Sequence, residues 1–220
     1  MSVDLTTTYL GMKLAHPIVP SASPITGKLD VLKRLQDAGA PAVVLPSLFE
    51  EQITYEESEM QRLAEFAAES FGEATSGYFP EMQDYNTGPG RYLKLIEDAK
   101  ATLGIPVIAN LNGSSVSGWI DYAKRIQDAG ADALELNVYY VPANPNESGA
   151  EVEERYLSLV RACTESITIP AAVKIGPYFS SVVNMVSRIV AAGANGVVLF
   201  NRYLMPDIDL ENLEITPALK

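Results

Sequence analysis

Cysteine is nearly missing from this chain of 220 residues; Cys163 is the one present. A single thiol excludes an internal disulfide framework and every iron–sulfur or zinc motif built from several cysteines. Histidine is as scarce, with His16 alone, ahead of a proline at the start of an apolar run, where a structural role is expected. Positive charge is short: 16 Lys and Arg stand against 28 Asp and Glu, a formal net charge of -12. Such a field repels phosphate backbones and anionic membranes, which argues against nucleic-acid and lipid-surface partners. It leaves room for a small ligand held by a local Lys. No apolar run approaches the roughly 20 residues that span a bilayer. The first residues, Met1-Ser-Val-Asp-Leu-Thr-Thr-Thr8, lack a basic region followed by an apolar core, so a cytoplasmic location is expected.

What is present is a repeat. Arg34–Leu45, Arg125–Leu136 and Arg188–Leu199 share one grammar: the end of an amphipathic helix, a glycine, then a short apolar strand. The glycine suits the left-handed turn that ends a helix. A second repeat interleaves: Gly104–Asn110 and Thr168–Lys174 each bring a proline into a strand at its first residue. Strands this apolar fit a parallel sheet buried on both faces, and the β-α-β-α alternation predicts an α/β fold.

The pattern predicts six strands at Pro17–Ala22, Ala42–Leu45, Val107–Asn110, Ala133–Asn137, Ala171–Lys174 and Gly196–Phe200. Helices are expected at Lys28–Ala38, Arg91–Leu103, Ser117–Ala129, Glu151–Ser166 and Ser181–Ala192. The step from Gly39 to Gly130 is longer than that from Gly130 to Gly193, which places an acidic, helical insertion at 50–77. The segment Thr6–Leu14 reads as a hairpin, and the tail after Arg202 as a loop. The expected fold is therefore a single domain over 1–220: an incomplete (β/α)8 TIM barrel with an N-terminal hairpin, cut before it closes. A complete six-stranded, doubly wound open sheet is the alternative.

In a parallel barrel, chemistry sits at the C-terminal strand ends. Here those ends carry Ser21, Ser23, Ser47, Asn110, Asn112, Asn137, Lys174 and Asn201. Amides both donate and accept, so together they can read the edge of a flat heterocycle. A lysine in a buried strand needs a partner; it could pair with Glu135, or place its charge beside a cofactor's anionic edge. A single asparagine could equally cap its own loop.

Pro17–Pro24, Glu135-Leu-Asn-Val138, Ala172-Val-Lys-Ile175 and Val198-Leu-Phe-Asn201 follow the order and spacing of the dihydroorotate dehydrogenase family, which the chain resembles over nearly its whole length. The stretch Thr8–Pro17 is similar to that family's leading hairpin. The resemblance implies FMN in a barrel mouth and oxidation of dihydroorotate in pyrimidine biosynthesis. It implies cofactor contacts from Ala22, Ser23, Ser47, Asn137 and Lys174, and substrate contacts from Asn86 and Asn201. The substrate would be a pyrimidine or another conjugated carbonyl compound; no metal is implied, and a homo-oligomer fits. Two departures stand out. Leu45-Pro46 replaces the family's Thr-Lys pair, and the loop Asn137–Asn144 holds no Cys or Ser base. A tyrosine, with a reference pKa of about 10, is a poor base at neutral pH but a competent acid. Tyr140 is the catalytic candidate in that loop, facing the flavin. Two classes stay open: a flavin oxidoreductase with altered substrate or direction, and a barrel without turnover that serves as a binding or partner subunit of a redox system. Cys163, on a helix, is expected to be a packing residue.

Overall fold

The computed structural model describes residues 3–49, 89–112, 116–138, 140, 142, 144–201, 205–209 and 214–218. The insertion expected at 50–77 and the substrate candidate Asn86 lie outside them. The chain opens with an antiparallel hairpin, β1 (Thr7–Tyr9) and β2 (Met12–Leu14), turning at Leu10-Gly11. A short 3-10 helix at Pro24–Gly27 leads into α1 (Leu29–Asp37). Then come β3 (Val43–Phe49), α2 (Pro89–Thr102), β4 (Val107–Asn112), α3 (Val116–Asp128), β5 (Ala133–Asn137), α4 (Gly149–Ser166), β6 (Ala171–Ile175), α5 (Val182–Ala191) and β7 (Gly196–Leu199). Strands β3 to β7 form one parallel sheet in sequential order.

Both repeats become visible as geometry. Gly39, Gly130 and Gly193 all have positive φ and return the chain from a helix to the next strand. Local signals start the helices. Ser148 and Glu151 form a reciprocal capping box on α4, and the Ser181 hydroxyl caps α5 through the Asn184 N–H.

The two faces of the sheet differ. One large apolar cluster joins Leu45, Val107, Leu111, Leu134, Leu136, Val173 and Ile175 to buried residues of all five helices, among them Leu32, Ile96, Trp119, Leu157 and Met185. Cys163 is buried in it, and burial pushes its thiol up to about 12. The opposite face is covered at one end by the hairpin, whose Leu10 packs with Val44, Ile108, Ala133 and Ala172. Helices on one face and sequential strand order describe an arc of an α/β barrel. A doubly wound sheet would reverse strand order and carry helices on both faces.

Two expectations are corrected. The segment 17–22 is not a strand. Pro17 and Pro20 lack the N–H groups that a ladder requires, and the segment is tied to the sheet by the Val44 N–H, which donates to the Pro20 carbonyl at 3.0 Å. The tail after Arg202 is not plain loop either: β8 (Met205–Asp209) pairs antiparallel with β9 (Glu214–Ala218). His16 is structural, with Nε2 2.8 Å from the Gly39 carbonyl.

Candidate functional site

Side chains alternate across a strand, so the register sorts the inner face into rows. The lowest holds Val44, Ile108 and Ala133, beneath the hairpin. The middle row is Ser47, Asn110, Glu135, Ala172 and Gly196; the upper row is Phe49, Asn112, Asn137, Lys174 and Val198. The inner face thus turns from apolar to polar toward the C-terminal strand ends. Small residues at Ala172 and Gly196 leave room for the hairpin: a Cβ on Gly196 would lie 3.0 Å from Leu10 Cδ2 and 3.6 Å from Tyr9 Cε2.

The middle and upper rows share a buried polar cluster. Glu135, 4% exposed, accepts through one oxygen from Asn110 Nδ2 at 2.6 Å and from Lys174 Nζ at 3.3 Å. The Glu135 charge bears on two tyrosines. Tyr9 on the hairpin is pushed up to about 12, first by burial and then by that carboxylate. Tyr92 on α2 is pushed up mainly by burial, with Glu135 adding to it. Among the described residues, Asn110 Oδ1 is buried and finds no hydrogen-bond partner.

A bulge in β3 shapes this region. The register advances three residues from Val44 to Ser47 while β4 advances two from Ile108 to Asn110. Pro46 falls in the bulge, and proline offers no N–H to the Asn110 carbonyl. The Tyr92 hydroxyl fills the gap. It donates to the Asn110 carbonyl at 3.1 Å and accepts from the Asn110 N–H at 2.8 Å. The proline in the strand is thus accommodated by a tyrosine from the other side of the sheet.

The sequence-derived candidates fall into three groups. Asn137 and Lys174 are register neighbours on the upper row, and Asn201 Nδ2 donates to Asn137 Oδ1 at 2.8 Å. Ser47 stands on the middle row beside Asn110. Ala22 packs against the inner apolar cluster, and Ser23 leads into the 3-10 helix, its N–H donating to Thr26 Oγ1 and its carbonyl accepting from that hydroxyl. Tyr140 is placed differently from the expectation that it faces the inner surface. Its ring packs against the helix-side core with the Arg155 guanidinium 4.4 Å from its centroid, and its hydroxyl donates to Glu147 at 2.8 Å. Both partners are local: Glu147 lies just before α4 and Arg155 within it, and the two are joined by an ion pair at 2.6 Å. The Tyr140 hydroxyl is held above its ordinary pKa, chiefly by that bond to Glu147.

Tyr92 and Tyr9 were not singled out from the sequence. The signal for Tyr92 is Pro46 itself, since a proline inside a buried strand demands a substitute donor from elsewhere. Among the described residues, no group of His, Cys, Asp and Glu is arranged to hold a metal ion, and no helix is long and apolar enough to cross a membrane.

No family profile matches the chain. Among curated proteins, it is 35% identical over 115 residues to the catalytic subunit of dihydroorotate dehydrogenase B (NAD(+)) of Anoxybacillus flavithermus, covering 50% of this chain and 36% of that protein. The corresponding subunit of Halalkalibacterium halodurans is 31% identical over 123 residues, covering 54% and 39%. Among solved structures, one from Pseudomonas aeruginosa described as a dihydrodipicolinate synthetase superposes with a TM-score of 0.50 at 17% identity, covering 84% of this chain and 55% of that one. The last likeness is one of fold alone, that of an α/β barrel. The matched stretches span well under half of the curated relatives' length, and over that stretch the chain is similar to the dihydroorotate dehydrogenases.

Proposed function

We propose that the protein is a flavin-dependent oxidoreductase acting on a CH–CH bond of a small conjugated carbonyl compound, with FMN as its cofactor. The observation that carries this reading is the upper row of the inner face, where Asn137 and Lys174 stand side by side and Asn201 bonds to Asn137. The similarity to dihydroorotate dehydrogenases supports it. The donor set suits a flat ring whose edge alternates N–H and C=O. Asn110 Oδ1 adds a buried acceptor that lacks a donor, and such an atom costs about 1–3 kcal/mol until something supplies one.

Bound FMN would supply hydride acceptance and donation. The chain's own residues would do the rest. Lys174, paired with Glu135, would stand at the ring's edge, and the Asn137–Asn201 amide pair would orient the substrate. The hairpin covers the inner face below the polar rows, where Leu10 packs on Val44, Ile108, Ala133 and Ala172. Oxidation of dihydroorotate itself is expected to be slow. A general base supplies about 10²–10⁴-fold, and the Tyr140 hydroxyl, engaged by Glu147, is not matched to that role near neutral pH.

The test is the protein at its full natural length, isolated without denaturant. A yellow preparation with one FMN per chain is expected, together with slow anaerobic bleaching by dihydroorotate and, once the flavin has been reduced with dithionite, faster reoxidation by a conjugated carbonyl compound, which takes the hydride and a proton. A colourless preparation that takes up no added FMN would overturn the reading and favour a barrel that serves as a partner subunit.

A further inference from the structure

Glu135 is an expensive residue to bury. A carboxylate in a sheet interior is retained where partners compensate its lost hydration. Here the compensation is specific. Asn110 Nδ2 at 2.6 Å and Lys174 Nζ at 3.3 Å converge on the same oxygen, Oε1. The side chains of Glu135 and Lys174 are 6% and 14% exposed, so water screens the pair weakly. Asn110 is fixed in turn, because the Tyr92 hydroxyl clamps both its backbone N–H and its carbonyl. Among the described residues, the other titratable groups facing the cluster are two neutral phenols, Tyr92 on α2 and Tyr9 of the hairpin, both held above their ordinary pKa.

We propose that Glu135, oriented by Asn110, is the positioning residue of Lys174: it draws the ammonium down from the upper row and cancels its net charge. The inner face therefore presents a neutral ion pair rather than a free cation to whatever lies over the upper row. A pair offers a dipole, whose field falls off faster than that of a single charge. Read with FMN as the occupant, which rests on the function proposed above, Lys174 stabilises the anionic reduced ring less than a lone lysine would. Glu135 is then the residue that holds the flavin's potential low.

The test uses two readouts. In the flavin-free chain, reductive methylation followed by site-resolved mass spectrometry reports how reactive the Lys174 amine is relative to the other lysines. Glu135→Gln is nearly isosteric and is expected to speed methylation of Lys174, while Glu135→Asp, which keeps the charge, stays close to the unaltered chain. An unchanged Lys174 reactivity in Glu135→Gln overturns the proposal whether or not flavin binds.

In the FMN-loaded protein, Glu135→Gln is expected to favour the reduced cofactor by about tenfold or more, which is about 30 mV for a two-electron couple. Lys174→Met is expected to shift the potential the opposite way. The double variant is expected to return toward the starting value, because both charges are gone. A purely structural role for Glu135 would not restore the potential in the double variant, so single shifts of the same sign would also overturn the proposal. Should no FMN bind, the function proposed above fails, and the methylation arm decides this inference alone. Should Glu135→Gln fail to fold, the double variant, with neither charge buried, carries the comparison of potentials.

Discussion

Tyr140 donates its hydroxyl proton to Glu147 at 2.8 Å, and its backbone N–H donates to the Tyr156 hydroxyl at 3.2 Å. Both bonds tie the loop after β5 to α4. Tyr140→Phe is expected to cost about 1 kcal/mol of stability, the net worth of one such bond, read by urea denaturation. It is expected to leave the rate of flavin reduction in the loaded protein unchanged. A large kinetic effect with stability intact would return Tyr140 to the chemistry. Tyr9 offers a test by pH. Its folded pKa is raised from 10.0 to about 12 by burial and by Glu135. The folded state therefore holds its proton more tightly than the unfolded state. The associated stability is complete below pH 10 and is lost as pH rises toward 12. Tyr9→Phe should flatten that alkaline loss, measured as denaturation midpoint against pH. At this scale the sequence was partly legible. Lys174 and Glu135 occupy inward positions of neighbouring repeats, so their pairing could be weighed beforehand. The Tyr140 side chain was misplaced because strand alternation was carried past Asn137, where β5 ends.

Among the elements, β3 is the most informative. Its bulge at Pro46 depends on one hydroxyl from α2, which satisfies two backbone groups of Asn110 at once. Tyr92→Phe keeps the ring and removes the bonds, so a loss of about 1–3 kcal/mol is expected from the groups left unpaired. Thermal unfolding measures it; an unchanged midpoint would mean that another group or a water takes over. The turn from α5 to β7 is constrained as tightly. Gly193 has φ +105°, and a Cβ there would lie 2.6 Å from the Thr164 Oγ1 atom, which already bonds the Ala192 carbonyl. Gly193→Ala should destabilise by more than about 1 kcal/mol, and adding Thr164→Ala should recover only part, because the backbone strain remains. The strands with a helix–glycine prefix were legible since their periodicity and turn chemistry agree. The segment 17–22 was misread because its apolar content outweighed what its prolines forbid, and the β8–β9 hairpin carries no glycine turn to announce it.

For the whole molecule, the repeat disclosed a barrel-like α/β fold, and sequential strand order with one-sided helices bears that out. What composition could not disclose is how the hairpin and the polar rows divide the inner face, since that depends on register across five strands. The sheet as described has β3 and β7 as its edges. Near the β7 edge, Leu199 is 51% exposed, and Val183 and Val190 of α5 are 82% and 53% exposed. Edge strands with apolar neighbours invite pairing, so the 220-residue chain is expected to associate with rising concentration in sedimentation velocity. A monomer throughout the micromolar range would show that the edge is covered.

The hairpin's seat also sets an order of events in time. Leu10 rests on Val44, Ile108, Ala133 and Ala172 and against Gly196, so its landing surface is complete only once β6 and β7 have joined the sheet. Closing so long a loop is an entropic cost met late. The first strands made are thus expected to finish docking late, after the last of the five strands has joined. Leu10→Ala should therefore accelerate unfolding while leaving the refolding rate nearly untouched, the kinetic signature of a contact absent from the transition state.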